Sequence, residues 1–533
     1  NTFKIEPKRP RTNKLGTKWV YDVKTNKEGN VVRFKARLVA KGFTQIPGRE
    51  YGQTFAPVCT TLTILFLFAL SVTLTLTIKL LDFKGAFLHS VMPPEMPVYI
   101  HPPYGLDVHP SEMVRLHKSL YGTKNAGHLW WKDLEAELLV LGFTQSPHDK
   151  CLFYRSTKTD TGTHTTWLCT WVDDIIVATN DPQIDSLIIA LRKHHFDIQT
   201  FEDLDWYLGI KVDLDAVKGT LRLSQEAYID TLLNQFNMAD CHPVDTPMVT
   251  SPPTDEHCAP VDAPLNKPYR QLLGSLSHIA RFTRPDILFS VFYLARYQQQ
   301  PGEAHWRALK RILRYLKGTK SLALNFRRGS SPHLALDMAG CARTADNLHE
   351  YFRLGAYADS DWGGCKDTRK STTGYAILFN NCPLLCRSSK QKSTATSVCA
   401  SETIALADCV QDLLWARNLV HDALGTIPHP KQQTKELRPP ESTVYCDNQS
   451  TIDIVNSDKG SRRVKHIAIK HGFLQDEQGT TVNIQKIPTK DNLADIFTKP
   501  LPRAQFCSLR DRLFGLEPNP YSIINTALLS SVF

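Results

Sequence analysis

Two adjacent aspartates, Asp173 and Asp174, stand in the run TWVDDIIVAT at residues 170–179. The other residues of this run are mostly apolar or β-branched, a composition typical of a buried strand. Burial removes water from a carboxylate, and two neighbouring carboxylates repel each other unless cations compensate their charge. The pair therefore indicates a cation-binding site on a strand or hairpin.

A second series of acidic residues lies in the last third of the chain. Asp359 falls on a predicted strand, Glu402 at the beginning of a predicted helix, Asp447 at a strand end and Asp495 on a further helix. Successive members are 43, 45 and 48 residues apart, and together they could supply the ligands of one metal pair. Taken singly, each has an ordinary explanation, such as a first-turn helix charge for Glu402 or an N-cap for Asp447.

The elements that must position these acids follow from the pattern of apolar residues. Before residue 106 we predict strands within 17–45, a buried helix leading into a strand over 62–81, and an irregular proline-rich loop over 92–105. From there to residue 230 we predict a helix near 128–143, a hairpin at the two aspartates, and a strand pair over 202–212 and 219–225. The stretch 62–81 approaches the length of a membrane span, but its threonines and the acid that follows favour the buried helix.

Beyond residue 240 the chain alternates between loose and helical segments. The proline-rich stretch 242–268 precedes a helical block at 269–318, and a second loose segment, 327–350, precedes an α/β-like region. One helix of the block has an apolar face made of Trp306, Leu309, Leu313 and Leu316, and a basic face made of Arg307, Lys310, Arg311, Arg314 and Lys317. The basic face is either solvated or contacts an anionic partner.

The charge of the chain is concentrated near its start. The net charge of the 533 residues is +10, and the first 49 residues, with 13 basic and 3 acidic side chains, carry all of this excess. Either a polyphosphate partner or a solvated arm explains such a field. Thirteen cysteines without framework spacing, and a start without a secretory signal pattern, predict an intracellular protein with reduced thiols.

Several strings occur in an order that is specific to one family. FKARLVAKGFTQ, LDFKGAFLHS, LYGTKNAGHLW, WVDDIIVA and YLGIKV resemble the reverse transcriptase of copia-type LTR retrotransposons. ADSDWGGCKDTRKSTTGY, SSKQKSTATSVCASETIAL, DNQSTI and NLADIFTKPL resemble the ribonuclease H that follows it in the same Pol polyprotein. The resemblance covers residues 14–505. The capsid, protease and integrase parts of such a polyprotein are absent from the sequence, so we expect a terminal polyprotein fragment or a truncated copy.

The resemblance implies an α+β fold, with a polymerase of fingers, palm and thumb-like parts followed by an α/β ribonuclease H-like domain. The implied ranges are a basic N-terminal arm at 1–13, fingers and palm at 14–246, a linker at 247–268, a helical thumb or connection at 269–326, a linker at 327–350, the ribonuclease H-like domain at 351–505 and a C-terminal tail at 506–533.

The resemblance also assigns roles to both sets of acids. Asp82, Asp173 and Asp174 match the palm carboxylates, and Asp359, Glu402, Asp447 and Asp495 match those of ribonuclease H. Each set is expected to hold two Mg²⁺ ions, with Mn²⁺ as an alternative, for phosphoryl chemistry. Relatives usually have Tyr where this chain has Trp171, which is expected to pack on the primer.

Four further residues match positions around the incoming nucleotide. Phe87 matches the steric gate beneath the sugar, although an ordinary core Phe is the alternative. Lys35 and Arg37 fall in the strand that reaches over the triphosphate, and which of them makes the contact is left open. Asn125 is expected near the nucleotide and template, where relatives usually carry Gln. The basic face of the helix at 305–320 is expected to follow the backbone of the duplex.

The implied partners are an RNA template, a DNA or tRNA primer, an RNA–DNA hybrid and deoxynucleoside triphosphates, with no membrane. The implied location is cytoplasmic, in a virus-like particle, with the nucleus as a further compartment. Relatives usually carry Pro in place of Gly127, Arg in place of Leu65, Asp in place of Ala468 and an aromatic residue in place of Thr403. The chain is therefore either an active polymerase and nuclease, a decayed fragment that only binds nucleic acid, or a nuclease that uses its C-terminal domain alone.

Overall fold

The computed structural model describes residues 2–25, 30–160, 162–193, 197–201, 204–328, 354–380, 382–425, 441–457 and 467–516. By its contacts the chain divides into two compact units. The first unit consists of Asn1–Thr60 with Thr77–Asp203, and the second consists of Thr61–Leu76 with Leu204–Phe533. The division at residue 203 falls inside the range predicted for fingers and palm, and the predicted domain boundaries stay predictions.

Up to residue 203 strands predominate. The elements are β1 (Phe3–Pro7), β2 (Thr17–Thr25), β3 (Val31–Ala40), α1 (Thr61–Leu74), β4 (Thr77–Phe83), β5 (Tyr99–Ile100), β6 (Glu112–Leu116), α2 (Ala126–Val140), β7 (Thr144–Gln145), β8 (Leu152–Thr159), β9 (Gly162–Trp171), β10 (Asp174–Thr179), α3 (Ile184–Lys193) and β11 (Ile198–Phe201). Short 3₁₀ helices cover Gly42–Thr44 and Ala86–Leu88.

After residue 203 helices and strands alternate. The elements are β12 (Trp206–Tyr207), β13 (Ile210–Asp215), β14 (Thr220–Ser224), α4 (Glu226–Gln235), α5 (Tyr269–Phe282), α6 (Leu288–Ala295), α7 (Glu303–Gly318), β15 (Leu324–Arg327), β16 (Leu354–Asp361), β17 (Thr372–Phe379), β18 (Cys382–Lys390), α8 (Val398–Gly425), β19 (Ser442–Cys446), α9 (Gln449–Val455), α10 (Ala468–Glu477), β20 (Val482–Lys486) and α11 (Arg503–Leu513). Further 3₁₀ helices cover Asp255–His257, Pro285–Ile287, Thr489–Asp491 and Leu493–Phe497.

The first unit is organised around an antiparallel sheet with the order β11-β4-β10-β9-β8-β7. Apolar side chains from its inner strands, such as Leu81 and Val177, pack against helices α2 and α3 in one buried cluster. Strands β2 and β3 form a separate two-stranded ribbon, and β1, β6 and β5 form a third sheet. Strand β10, which begins at Asp174, is therefore an inner strand of the largest sheet in this unit.

The described part of the second unit contains two sheets and a helical core. One sheet has the antiparallel order β12-β13-β14-β15. The other has the order β18-β17-β16-β19-β20, in which β16, β19 and β20 run parallel and the β17–β18 edge is antiparallel. Helices α4 to α7 share one buried cluster with residues of this mixed sheet and with α11. The combination of antiparallel sheets with a mixed sheet flanked by helices agrees with the predicted α+β class.

The apolar stretch at 62–81 is a helix followed by a strand, as predicted. Helix α1 is buried from Leu62 to Thr73 and belongs to the second unit, where Phe66 packs edge-to-face on Phe379 with ring centroids 5.7 Å apart. Strand β4 follows in the first unit. Among the described residues no helix is both long enough and apolar enough to cross a bilayer.

Two of the predicted terminal ranges contain regular elements, and one predicted linker is almost entirely outside the described residues. The predicted N-terminal arm contains strand β1, which pairs with β6. The predicted tail begins inside α11, whose Phe506, Leu509 and Leu513 are buried in the core of the second unit. Apart from its first two residues, the predicted linker 327–350 lies outside the described residues.

Candidate functional site

Three predicted carboxylates lie at one end of strands β4 and β10 in the first unit. Asp174 is directly opposite Asp82 in the antiparallel pair of β10 and β4. Asp173 lies in the two-residue turn that joins β9 to β10, and its carbonyl accepts a hydrogen bond from the Phe83 amide at 2.9 Å. Directly opposed residues project from the same face of a sheet, so the strand register brings Asp82 and Asp174 together.

The turn that presents Asp173 has an unusual backbone. Val172 adopts φ = +55°, a left-handed conformation that is costly for a β-branched residue. Its carbonyl accepts a hydrogen bond from the indole nitrogen of Trp130 at 2.5 Å. Trp130 in turn packs edge-to-face on Phe83, with ring centroids 5.3 Å apart. Helix α2 and strand β4 therefore hold the turn in a conformation that its own sequence disfavours.

The electrostatics of this group favour cations. Burial, with the nearby charges of Asp173 and Asp82, raises the pKa of Asp174 to about 6. Burial and the charge of Asp82 also raise the pKa of Asp173, while Arg37 and Lys35 act in the opposite direction. The carboxylates thus destabilise one another's charged forms, and the two basic side chains of β3 compensate only in part.

The predicted nucleotide contacts divide into two groups. Lys35 and Arg37 are close enough to Asp173 to affect its pKa, and Phe87 lies half-buried in the 3₁₀ helix that follows β4. Asn125, by contrast, is only 3% exposed, and its side-chain oxygen has no hydrogen-bond partner among the described residues. Trp171 is half-buried at the end of β9. Lys35, Arg37 and Phe87 are therefore half-buried, whereas Asn125 is enclosed.

The second set of carboxylates converges at the mixed sheet of the second unit. Asp359 lies near the end of β16, and Asp447 directly follows the neighbouring parallel strand β19. Ligand atoms of Asp359, Asp447 and Asp495 lie within 4.8 Å of one another, as do those of Glu402, Cys446 and Asp447. The two groups share Asp447, so all four predicted acids belong to one cluster. Adjacent parallel strands place their carboxyl ends at the same edge of a sheet, which explains why Asp359 and Asp447 lie close together.

Asp495 is brought to this edge by contacts that the sequence motif did not single out. It lies in the 3₁₀ helix Leu493–Phe497. The Asn492 side chain donates to the Ala358 carbonyl at 2.9 Å, which fixes the 3₁₀ helix to β16. Gly374 on β17 is paired with Asp359. A Cβ at Gly374 would lie 2.5 Å from the Thr498 methyl group, so only glycine permits this approach.

Three acids of the cluster are almost fully buried and Asp447 is half-buried, and burial raises the pKa of Asp359, Glu402 and Asp447. Burial, with the Asp495 charge, raises the pKa of Asp359 to about 7. Burial and the charges of Asp359 and Asp447 raise the pKa of Glu402 well above its usual value. The ammonium group of Lys499 lies 2.8 Å from Asp495 and 3.9 Å from Asp359, and it opposes the rise at Asp359. One lysine therefore partly compensates the charge of three of the four acids, Asp359, Asp447 and Asp495.

The donor atoms fit a hard divalent cation better than zinc. Carboxylate oxygens are the ligands that Mg²⁺ and Mn²⁺ prefer. The sulfur of the cluster, Cys446, is fully buried and the pKa of its thiol is raised well above the usual value, mainly by burial, so the thiolate that zinc requires is disfavoured. In the first unit, the described carboxylates Asp82, Asp173 and Asp174 do not meet within 4.8 Å as those of the second unit do.

Comparison with known proteins relates the chain to one family. Residues 1–250 match the family described as reverse transcriptase (RNA-dependent DNA polymerase). The Pol polyprotein of transposon RE2 from Arabidopsis thaliana is 32% identical over 97% of this chain. The chain is related to the Pol polyproteins of copia-type retrotransposons. Transposon RE1 of the same plant gives 33% over 94% of the chain, and TNT 1-94 of Nicotiana tabacum gives 30% over 95%.

The chain spans about a third of the length of these Pol polyproteins, with 33%, 31% and 36% of RE2, RE1 and TNT 1-94 covered. Among solved structures, the foamy viral protease–reverse transcriptase in complex with double-stranded DNA covers 91% of the chain at 11% identity, with a TM-score of 0.45 and 67% of that protein matched. A likeness of this degree adds nothing to what the strand register and the sequence relatives establish.

Most of the basic side chains on the predicted face of α7 make hydrogen bonds within the chain. Arg311 donates to the Thr246 hydroxyl at 2.9 Å, Arg314 to the His242 carbonyl at 2.7 Å and Lys317 to the Cys241 carbonyl at 2.8 Å. Arg307 is exposed and Lys310 is half-buried. The linker before α5 thus covers part of this face, and the predicted contact with a duplex stays a prediction.

Several residues that shape the two sites were not identified from the sequence. Gly374, Asn492 and Lys499 position or compensate the second cluster, and Tyr121 lies beside Phe87 in the first unit. Gly374 carried the clearest signal, because a glycine inside the strand pattern STTGYAILF indicates a close approach by another segment. Asn492 and Tyr121 depend on contacts with distant segments, and Lys499 combines a contact with Asp495, four residues away, and a distant one with Asp359.

Proposed function

We propose that this chain is an RNA-directed DNA polymerase with ribonuclease H activity, which copies retrotransposon RNA into DNA and degrades the RNA of the hybrid. The observation that carries the polymerase is the direct pairing of Asp82 with Asp174, beside Asp173, within the range that matches the reverse transcriptase family. The observation that supports the nuclease is the buried four-acid cluster at the edge of the mixed sheet.

In the polymerase site, Asp82 and Asp173 would hold two Mg²⁺ ions, and Asp174 would tune their field. When bound, these ions lower the pKa of a primer 3′-hydroxyl and stabilise the departing pyrophosphate. Lys35 and Arg37 would bind the triphosphate, since their positive charges already act on Asp173. The Phe87 ring would exclude a ribose 2′-hydroxyl, and Trp171 would support the primer.

In the nuclease site, Asp359, Glu402, Asp447 and Asp495 would hold a second pair of Mg²⁺ ions, with Mn²⁺ as a substitute. When bound, the metal pair activates a water for attack on the RNA phosphate. The acids would keep the ions in place, because their burial and mutual repulsion strongly favour a divalent partner. The RNA 2′-hydroxyl would distinguish the strand to be cut.

The partners of this activity would be an RNA template, a DNA or tRNA primer, an RNA–DNA hybrid and deoxynucleoside triphosphates. The excess of basic residues before residue 50 supports a polyanionic partner. A cytoplasmic virus-like particle, with the nucleus as a further compartment, is the location that we propose for an element of this type.

A paired assay tests the proposal. The full chain is given a primed RNA template with deoxynucleoside triphosphates, and separately a labelled RNA–DNA hybrid, each with Mg²⁺ and with a chelator. We expect Mg²⁺-dependent extension of the primer and Mg²⁺-dependent cleavage of the RNA. Cleavage without extension would indicate a nuclease that uses the second unit alone. Binding of both nucleic acids with neither reaction would identify a decayed fragment and contradict the proposal.

A further inference from the structure

The loop at residues 362–371 joins β16, the strand that carries Asp359, to β17, and its base is fastened to the helical block. Asp361, the last residue of β16, is paired with Thr372, the first residue of β17. The guanidinium of Arg296, the residue that follows α6, donates to the Thr372 hydroxyl at 3.1 Å. The base of the loop is therefore held by a residue that lies 76 positions earlier in the chain.

The tip of the same loop is held by the next residue of the helical block, Tyr297. The Tyr297 hydroxyl donates to the Asp367 carboxylate at 2.8 Å, and the Asp255 amide donates to the other oxygen of that carboxylate at 3.1 Å. Tyr297 is only 4% exposed, and its ring stacks on the ring of His305 in α7, with centroids 4.2 Å apart. Two consecutive residues, Arg296 and Tyr297, thus fix the base and the tip of one loop.

The 362–371 loop in turn holds the segment that precedes α8. The Trp362 indole nitrogen donates to the Ala395 carbonyl at 3.1 Å. The Lys370 ammonium group donates to the Lys392 carbonyl at 2.6 Å. Because α8 carries Glu402, a displacement of the loop would remove two contacts from the segment that leads into one of the four acids.

The loop presents side chains that suit a nucleic acid. Lys366 and Arg369 are exposed, and the Trp362 side chain is 52% exposed. Among the described residues neither cation forms an ion pair. Cations of this kind bind backbone phosphates, and an exposed aromatic ring stacks on a base or a sugar. The loop begins three residues after Asp359, so a strand bound along it would pass beside the four acids.

A cavity of about 740 Å³ continues the basic surface from the loop to helix α7. Basic side chains outnumber acidic ones among the lysines, arginines and carboxylates that line it: Lys366 of the loop and Arg307, Arg311 and Arg314 of α7, against Glu256 and Asp367. Asp367 is the same residue that accepts the hydrogen bond from Tyr297. The contact with Tyr297 therefore sets the position of the loop cations relative to those of α7.

We propose that Arg296 and Tyr297 are positioning residues for the nuclease site: they hold the 362–371 loop so that its exposed cations and its tryptophan bind an RNA–DNA hybrid beside the four acids. The ligand is the hybrid duplex, and the inference rests on the proposed nuclease function. The helical block, which the sequence predicted as a thumb or connection, thereby serves the nuclease site. A substitution in α6 or just after it should then change how the hybrid is bound rather than how fast it is cut.

Two substitutions remove the same hydrogen bond from its two ends. Tyr297→Phe keeps the ring and Asp367→Ala removes the acceptor, and each should raise KM for hybrid cleavage about three- to tenfold while changing kcat less than about twofold. The double variant should match Asp367→Ala alone, because the contact can be lost only once, and additive effects would contradict the coupling. The control is Tyr228→Phe, since the Tyr228 hydroxyl has no hydrogen-bond partner among the described residues and its loss should change neither constant.

Binding of a labelled hybrid to the full chain, with chelator present, reports affinity without cleavage. Tyr297→Phe and Asp367→Ala should each weaken binding about three- to tenfold. A wild-type chain that binds the hybrid without cutting it would contradict the proposed nuclease alone, and weaker binding by Tyr297→Phe would then still support the inference.

The inference is wrong if Tyr297→Phe and Asp367→Ala match Tyr228→Phe in hybrid affinity, or if the wild-type chain does not bind the hybrid. Lys366→Gln combined with Arg369→Gln should also weaken binding, by about tenfold, since each change removes a phosphate contact, and unchanged affinity would overturn the role of the loop. Should Tyr297→Phe fail to fold in a thermal melt, Asp367→Ala decides, because Asp367 lies on an exposed loop.

Discussion

Asp82 and Asp174 face each other across two antiparallel strands of one sheet, and the turn residue Asp173 is adjacent to them. This pairing is a consequence of strand register, because a shift of one residue would turn either side chain to the opposite face. It requires β4, which follows a buried helix, to pair with β10 across nearly a hundred residues of chain. These carboxylates are thus brought together by long-range pairing rather than by a local motif.

The hydrogen bond from Trp130 to Val172 should matter for polymerase activity. Trp130→Phe keeps an aromatic ring but leaves the Val172 carbonyl without its donor, so we expect a loss of about 1 kcal/mol in stability and about tenfold in extension rate. Trp131→Phe is the matched control, because the Trp131 indole nitrogen has no hydrogen-bond partner among the described residues. Equal effects of the two substitutions, measured by thermal melts and primer extension, would show that Trp130 does not hold the turn.

Phe87 allows a test of the sugar gate. Phe87→Ala removes the ring that contacts Tyr121 and should raise the ratio of ribonucleotide to deoxyribonucleotide incorporation about tenfold or more, equivalent to about 1.4 kcal/mol. Phe43→Ala, at a residue that is 74% exposed, serves as the control. An unchanged ratio in single-nucleotide extension would mean that Phe87 only packs in the core, which is the alternative that its sequence context allows.

Gly374 links packing to the nuclease site. A Cβ at this position would collide with the segment that carries Asp495, so Gly374→Ala should displace that segment at a cost of about 1–3 kcal/mol and reduce hybrid cleavage at least about tenfold. Gly472→Ala, in a helix with open space around the glycine, should be neutral or stabilising. Normal cleavage by a folded Gly374→Ala protein would show that this approach does not position Asp495.

The raised pKa values predict how pH changes the response to Mg²⁺. The pKa of Asp359 is about 7 in the folded chain, compared with about 4 when unfolded, so the folded state binds more protons between these values. Without metal, stability should therefore fall as the pH rises from about 4 to about 7. Since Mg²⁺ requires the ionised carboxylates, its stabilising effect should grow over the same range.

Calorimetric melts with Mg²⁺ and with chelator, from about pH 5 to about pH 8, measure this response. Asp359→Asn removes one titrating group of the cluster and should flatten the pH dependence. A shift in melting temperature on adding Mg²⁺ that is the same at both ends of the range would contradict the assignment of these acids as metal ligands.

Much of the local structure followed from the sequence. The change from an uninterrupted apolar run to an acid predicted α1 leading into β4, and the flanks of the double aspartate predicted the β9–β10 hairpin. The face of α7 that carries Leu309 and Leu313 is buried as its spacing predicted. These features depend on periodicity within a single segment, which the sequence displays directly.

Other features could not be read from single segments. The burial of Asn125 at the start of α2 did not follow from the sequence, and its expected place near the nucleotide and template stays a prediction. The basic face of α7 was expected to be open, but Arg314 and Lys317 donate to the linker before α5. Amphipathic spacing identifies a polar face and does not reveal which segment covers it.

The central claim is that the chain contains two separate metal-dependent sites. Asp173→Asn removes a charge from the first set while keeping the shape of the side chain, and Asp447→Asn does the same for the second set. Asp160→Asn, at an exposed residue next to the far end of β9, is the control. All three proteins should retain the fold of the wild-type chain by circular dichroism.

Primer extension on RNA and cleavage of an RNA–DNA hybrid, measured side by side on these variants, test the claim most directly. We expect Asp173→Asn to lose extension about a hundredfold or more while keeping hybrid cleavage, and Asp447→Asn to show the reverse. Loss of both activities in a folded Asp447→Asn protein, or near-normal extension by Asp173→Asn, would contradict the two-site account.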